Sequence, residues 1–182
     1  VGHDWGGGHV MNVVMHRPEL VRSWASDAIG LFDSEYIWHD LAQVWQTPDE
    51  GEESVDTILG GTVQDRAGQW AALGIPMDIA TPIAAAQGPE MGRAILSLYR
   101  SASQPAMAEA GRALENAAAR PGLSLLATED PYIGSEELRR RAAARAGAQT
   151  AVLDGLGHWW MVQDPACGAA VLTRFWETVD QK

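Results

Sequence analysis

The chain of 182 residues is poor in cysteine, in lysine and in positive charge, and it has no long apolar run. Cys167 is its only cysteine, so no disulfide can form within it. Set among Ala166, Gly168 and Ala169, that cysteine reads as a small packing side chain on a helix rather than as a nucleophile. Lys182 is the only lysine, and the formal net charge is −11. This balance argues against nucleic acid and anionic membranes as partners, since both draw basic patches. No apolar stretch is long enough to span a bilayer, and no signal peptide is recognisable. A cytoplasmic chain is expected, and a hydrophobic content of 46% can support a packed core. There is no internal repeat. The one biased run, Arg139 to Arg145, reads as a solvated helix face.

What is present concentrates at the two ends. The chain opens Val1-Gly2-His3-Asp4-Trp5-Gly6-Gly7, a Gly-x-Asp-x-Gly string. A reactive side chain on a sharp strand-to-helix turn needs neighbours two residues away with little or no side chain, and Gly2 and Gly6 meet that need. A carboxylate at such a tip can attack carbon directly and form an ester, which water must then cleave. Asp4 could instead be a plain N-cap for the helix that follows.

Near the other end, Leu123–Thr128 reads as a short buried strand, followed at once by Glu129-Asp130-Pro131. Residues 149–154 read as a second strand, followed by Gly155-Leu156-Gly157-His158-Trp159-Trp160. His158 lies 28 residues after Asp130, which leaves room for one helix and one strand between two neighbouring strand ends. That helix is expected over 135–146, with Ser135 as N-cap and Glu136 and Glu137 in its first turn. A last helix is expected over 165–179, opened by Pro165 with Asp164 as cap. A helix over 9–16 should present Val10, Val13 and Val14 on one face, and a strand is expected over 21–29. The order nucleophile, acid, histidine is that of a Ser-His-Asp-type triad in which Asp4 replaces serine. His158 is the candidate base. Asp130, Glu129 and Asp27 are candidates for its acid partner.

With these residues in view, the sequence resembles the α/β-hydrolase superfamily, specifically its Asp-nucleophile branch of epoxide hydrolases and haloalkane or haloacetate dehalogenases. The His-Asp-Trp-Gly-Gly string and the Asp-Pro-Tyr string are typical of that branch. The resemblance implies an α/β fold: a mostly parallel sheet with flanking helices and an inserted helical cap. It makes Asp4 the nucleophile, Asp130 the acid and His158 the base that activates water against the ester, since a carboxylate needs no activation at neutral pH. It makes the backbone N–H of Trp5 one half of an oxyanion hole. In dehalogenases of the branch the indole of this tryptophan also holds the halide. In epoxide hydrolases two cap tyrosines polarise the epoxide, the second commonly in a Tyr-Arg pair. Here Tyr99-Arg100 lies 31 residues before Asp130, and Tyr36 lies early in the expected cap. Trp38, Trp45 and Trp70 could line an apolar pocket or simply pack. The resemblance implies no cofactor and no metal, with a small apolar organic molecule and water as substrates. Nothing in the sequence fixes an oligomeric state.

The expected layout is a core made of residues 1–29 and 121–182, with the cap at 30–120, where Pro and Gly recur between short Ala-rich stretches. Complete members of the superfamily have several strands before the reactive turn, so the chain reads as the C-terminal part of a larger hydrolase. Hydrolysis of epoxides to diols is the first expectation, dehalogenation the second, and an inert or partner-dependent fragment the third.

Overall fold

The computed structural model describes residues 1–180, so positions 181 and 182 of the expected core lie outside the described residues. By internal contacts the chain divides into two units, Val1–Ile37 with Gln104–Lys182, and Trp38–Ser103. The division falls inside the 30–120 range expected for an insertion, so residues 30–37 and 104–120 group with the sheet.

The first unit is built on a parallel sheet of β1 (Trp24–Ser26), β2 (Gly122–Ala127) and β3 (Gln149–Leu153), in that spatial order. Gly2 adds a parallel bridge to Ser26 on the outer side of β1, its N–H donating to Ala25 O at 2.9 Å. All six residues of β2 are buried, as a central parallel strand covered on both faces requires. Leu123, Leu125 and Ala127 share a core cluster with Ala25, Leu153, Trp160, Val171 and Phe175. The alternation of the strand then sends Ser124 and Leu126 to the opposite face. Cys167 is half-buried and packs against this cluster, as its small neighbours suggested.

Helix α1 (Trp5–His16) begins four residues earlier than the sequence suggested. It buries Met11, Val14 and Met15, an i, i+3, i+4 stripe, and leaves Val13 exposed. The strand expected over 21–29 shortens to Trp24–Ser26. The chain turns there because Ser26 Oγ accepts the Ala28 N–H at 3.1 Å, and Ile29–Phe32 coils into a buried 3₁₀ turn. Apolar content at Ala28 and Ile29 thus reflects burial, not strand. The later helices follow their caps. Ser135 accepts the Leu138 N–H ahead of α8 (Glu136–Arg145), a helix within the range expected from sequence. Asp164 accepts the Cys167 N–H at 2.9 Å where α10 (Pro165–Asp180) starts.

The second unit is helical: α2 (Asp40–Gln46), α3 (Glu50–Leu59), α4 (Val63–Ala72), α5 (Met77–Ala86) and α6 (Pro89–Ser101). Arg100 grips Glu52 through two 2.7 Å hydrogen bonds and ties α6 to α3. That grip lowers the Glu52 carboxyl to about pKa 2. Helix α7 (Ala106–Ala110) belongs to the first unit, as does the short α9 (Trp160–Gln163). Among the described residues no helix is long and apolar enough to cross a membrane.

Candidate active site

The parallel sheet gathers the candidate residues by a simple rule: each follows the C-terminal end of a strand or strand-like segment. Asp4 follows the Gly2 bridge, Asp27 follows β1, Asp130 follows β2 and His158 follows β3. In parallel sheets this is the edge where ligands collect.

Asp4 is half-buried in a tight turn with φ 49° and ψ −125°, a left-handed backbone that a non-glycine residue adopts only at a cost of about 1–3 kcal/mol. It occupies the N-cap position of α1, yet its side chain accepts no capping hydrogen bond. The carboxylate is therefore not used as a cap. Gly2 is required by close approach, since a Cβ there would lie 2.4 Å from Gly6 O. Gly6 is not: a Cβ on it meets nothing within 4 Å. The second crowded position is Gly7, whose added Cβ would lie 2.7 Å from Ser26 Oγ. The spacing argument from sequence is corrected accordingly, from Gly6 to Gly7.

His158 is 8% exposed, and its Nδ1 lies 2.9 Å from Asp130 Oδ2. Because a carboxylate only accepts, Nδ1 carries the proton and Nε2 is left with its lone pair. Of the three carboxylates in contention, Asp130 is the one that bonds His158. Glu129 is exposed, and Asp27 bonds elsewhere. Asp130 also accepts the Tyr132 N–H at 2.8 Å. Burial opposes charge on His158. The hydrogen bond it donates to Asp130, the negative charge of Asp130 and those of Asp4 and Asp27 outweigh that, so the imidazole pKa is raised above its ordinary 6.5. Asp130 is likewise penalised by burial but held below the usual carboxylate value by His158, by the Tyr132 amide and by Arg139.

Sequence reasoning missed most of what surrounds this pair. His3 stands with its ring centroid 4.6 Å from that of His158, and its Nδ1 lies 2.6 Å from Asp27 Oδ2. Trp159 and Tyr132 pack against the His158 ring at 4.9 Å each. His3 was visible beside Asp4, but a partner 24 residues away leaves no local signal. Trp5 is the first residue of α1, with its ring 6.3 Å from that of His9.

The tyrosines separate. Tyr36 lies in the first unit, and its hydroxyl donates to Tyr132 O at 2.7 Å. Tyr99 lies in the second unit, buried against Trp38 and Trp45 with centroids at 5.4 and 4.7 Å. Trp45 bonds Ser54 and Trp70 bonds Gln87, both within that unit. Among the described residues no group of three His, Cys, Asp or Glu could hold a metal ion.

Solved structures share this fold. A putative ancestral haloalkane dehalogenase matches 99% of the chain at 19% identity with a TM-score of 0.68. The chain has the α/β-hydrolase fold. The E-2-(acetamidomethylene)succinate hydrolase structure matches 97% of it at 16% identity and a TM-score of 0.63. An α/β hydrolase from a Medee basin deep-sea metagenome library, MGS-M2, matches 97% at 14% identity and 0.66. The hydrolase-fold chain spans 68%, 65% and 63% of these three structures, in that order. No protein-family model and no curated protein matches it.

Proposed function

We propose that this chain carries the hydrolytic centre of an enzyme that works through an ester on Asp4, opening small apolar epoxides to diols. The observation that carries the reading is the tip geometry of Asp4, uncapped and strained, at the same sheet edge as the His158–Asp130 pair. In the first step the Asp4 carboxylate attacks a substrate carbon, one carbon–oxygen bond of the epoxide breaks, and the resulting alkoxide takes a proton. Tyr99 is the proposed donor of that proton. Tyr36 is the second candidate, and its hydroxyl donates to Tyr132 O. In the second step Nε2 of His158 takes a proton from water, the hydroxide attacks the ester carbonyl, and the Trp5 backbone N–H receives the developing oxyanion; the acyl–oxygen bond then breaks, Asp4 returns to carboxylate, and the two protons of the water pass to the diol oxygen and to the Tyr99 phenolate. Asp130 holds the tautomer and stabilises the imidazolium.

Turnover in heavy-oxygen water tests the covalent step. The second step puts solvent oxygen into the Asp4 carboxylate, so the peptide containing Asp4 should gain mass over many turnovers. An unlabelled Asp4 after active turnover would exclude the ester.

A second reading, dehalogenation with the same nucleophile and base, is favoured by the structural likeness to haloalkane dehalogenases. There the leaving group is a halide and the Trp5 indole would hold it.

A further inference from the structure

Asp27 is 3% exposed and stands where three segments meet. Its Oδ1 accepts the backbone N–H of Asp4 at 2.9 Å. Its Oδ2 accepts the Trp160 indole N–H at 2.8 Å and the Nδ1 proton of His3 at 2.6 Å. The donors are the turn residue itself, the residue before it, and the helix that follows His158. Only a carboxylate can accept on both oxygens at once.

We propose that Asp27 is a positioning residue that holds the Asp4 turn and the His158 ring in register. The proposal rests on reading Asp4 as nucleophile and His158 as base. The Asp4 backbone occupies a left-handed conformation, and the bond from its own amide to a buried, fixed carboxylate supports that conformation from below. The hold on His158 is indirect. Asp27 fixes the His3 ring through Nδ1, and that ring lies 4.6 Å from His158 and 5.2 Å from Trp159. It also fixes Trp160, two residues beyond the base. The Nε2 of His3 is buried with no hydrogen-bond partner among the described residues, so the ring packs in this site as a wall that the Asp27 bond orients. Asp27 further adds a fixed negative charge. The groups that face His158 are Asp130, Asp4 and Asp27 as charges, with His3 and Tyr132 as titratable rings.

Asp27→Asn in the full chain is the test. Asparagine keeps the shape and can still accept the Asp4 N–H, but its amide cannot accept both His3 and Trp160 and it carries no charge. Ester formation on Asp4, followed in a single turnover, should slow by about 10²-fold, the scale of a small misplacement of reacting groups. The NMR titration midpoint of His158 should move to lower pH. Slower chemistry with an unmoved His158 midpoint would make Asp27 a fold residue only and overturn the proposal, as would an unchanged rate. If the variant does not fold, Trp160→Phe removes one donor and leaves the charge. It should slow ester hydrolysis while the His158 midpoint stays in place, and an unchanged rate would again overturn the proposal. Absence of label on Asp4 in the unmodified protein would instead remove the ester reading beneath it.

Discussion

At the scale of single residues, the two members of the His158–Asp130 pair act on each other's charge. His158 must be neutral to take a proton from water. Its pKa is raised in the folded chain, so ester hydrolysis should fall as pH drops through a midpoint above 6.5. Asp130→Asn removes the charge and leaves at most a neutral amide oxygen to accept from Nδ1. The acid limb should then move to lower pH while the plateau drops by about 10²–10⁴-fold, the usual range for acid–base catalysis. A limb that stays in place in the pH–rate profile would mean that another group sets it. The linkage has a definite sign: a histidine with a raised folded pKa adds stability below its unfolded pKa, and this is lost as pH rises through the folded value. His158→Gln separates the two half-reactions. Ester should form at nearly the normal rate and accumulate, with at most one turnover by mass spectrometry. Loss of the first step in a folded variant would give His158 another role. The candidates Asp4, Asp130 and His158 were legible because each sits in a short, distinctive string of residues. The His3–Asp27–Trp160 connections were not, because they join residues 24 and 133 positions apart whose types are individually unremarked.

At the scale of elements, the turn between the Gly2 bridge and α1 is set by close backbone approach. Gly2→Ala would force a Cβ to 2.4 Å from Gly6 O and 2.7 Å from Gly7 Cα, atoms of the backbone that cannot step aside. Gly7→Ala would press on Ser26 and Ala28. Each should destabilise by about 1–3 kcal/mol, the cost of overpacking. Gly6→Ala meets open space and replaces glycine near the start of a helix, so it should be neutral or stabilising by up to about 1 kcal/mol. Urea unfolding of the three variants checks the order, and a Gly6→Ala midpoint well below that of Gly2→Ala would refute it. The sequence pattern marked Gly6 because spacing alone cannot tell which glycine the chain folds back upon. Helix starts were legible where a cap announces them, at Ser135 and Asp164, and misplaced at Asp4, where the helix begins without a side-chain cap. Strand length failed at 21–29 for a related reason: a serine hydroxyl ended the strand ahead of Ala28 and Ile29, whose apolar side chains continue the pattern.

At the scale of the whole molecule, the leaving group decides between the two hydrolytic readings. An epoxide opens to an alkoxide, a poor leaving group that needs a proton. A halide departs unprotonated and needs only N–H donors around it. If the molecule opens epoxides, Tyr99→Phe should lower epoxide turnover by about 10²–10⁴-fold through the first step, leaving ester hydrolysis less affected. If it is a dehalogenase, that change should matter little, and Trp5→Phe should slow halide departure because the ring is kept and its N–H is lost. The burial of Tyr99 against Trp38 and Trp45 makes phenylalanine the right probe, since it keeps the packed ring and deletes only the hydroxyl. Each variant is assayed for diol formation from small epoxides and for halide release from small haloalkanes. An unchanged epoxide rate in Tyr99→Phe would remove Tyr99 from the reaction. Halide release without diol formation in the unmodified chain would overturn the epoxide reading and keep the ester on Asp4.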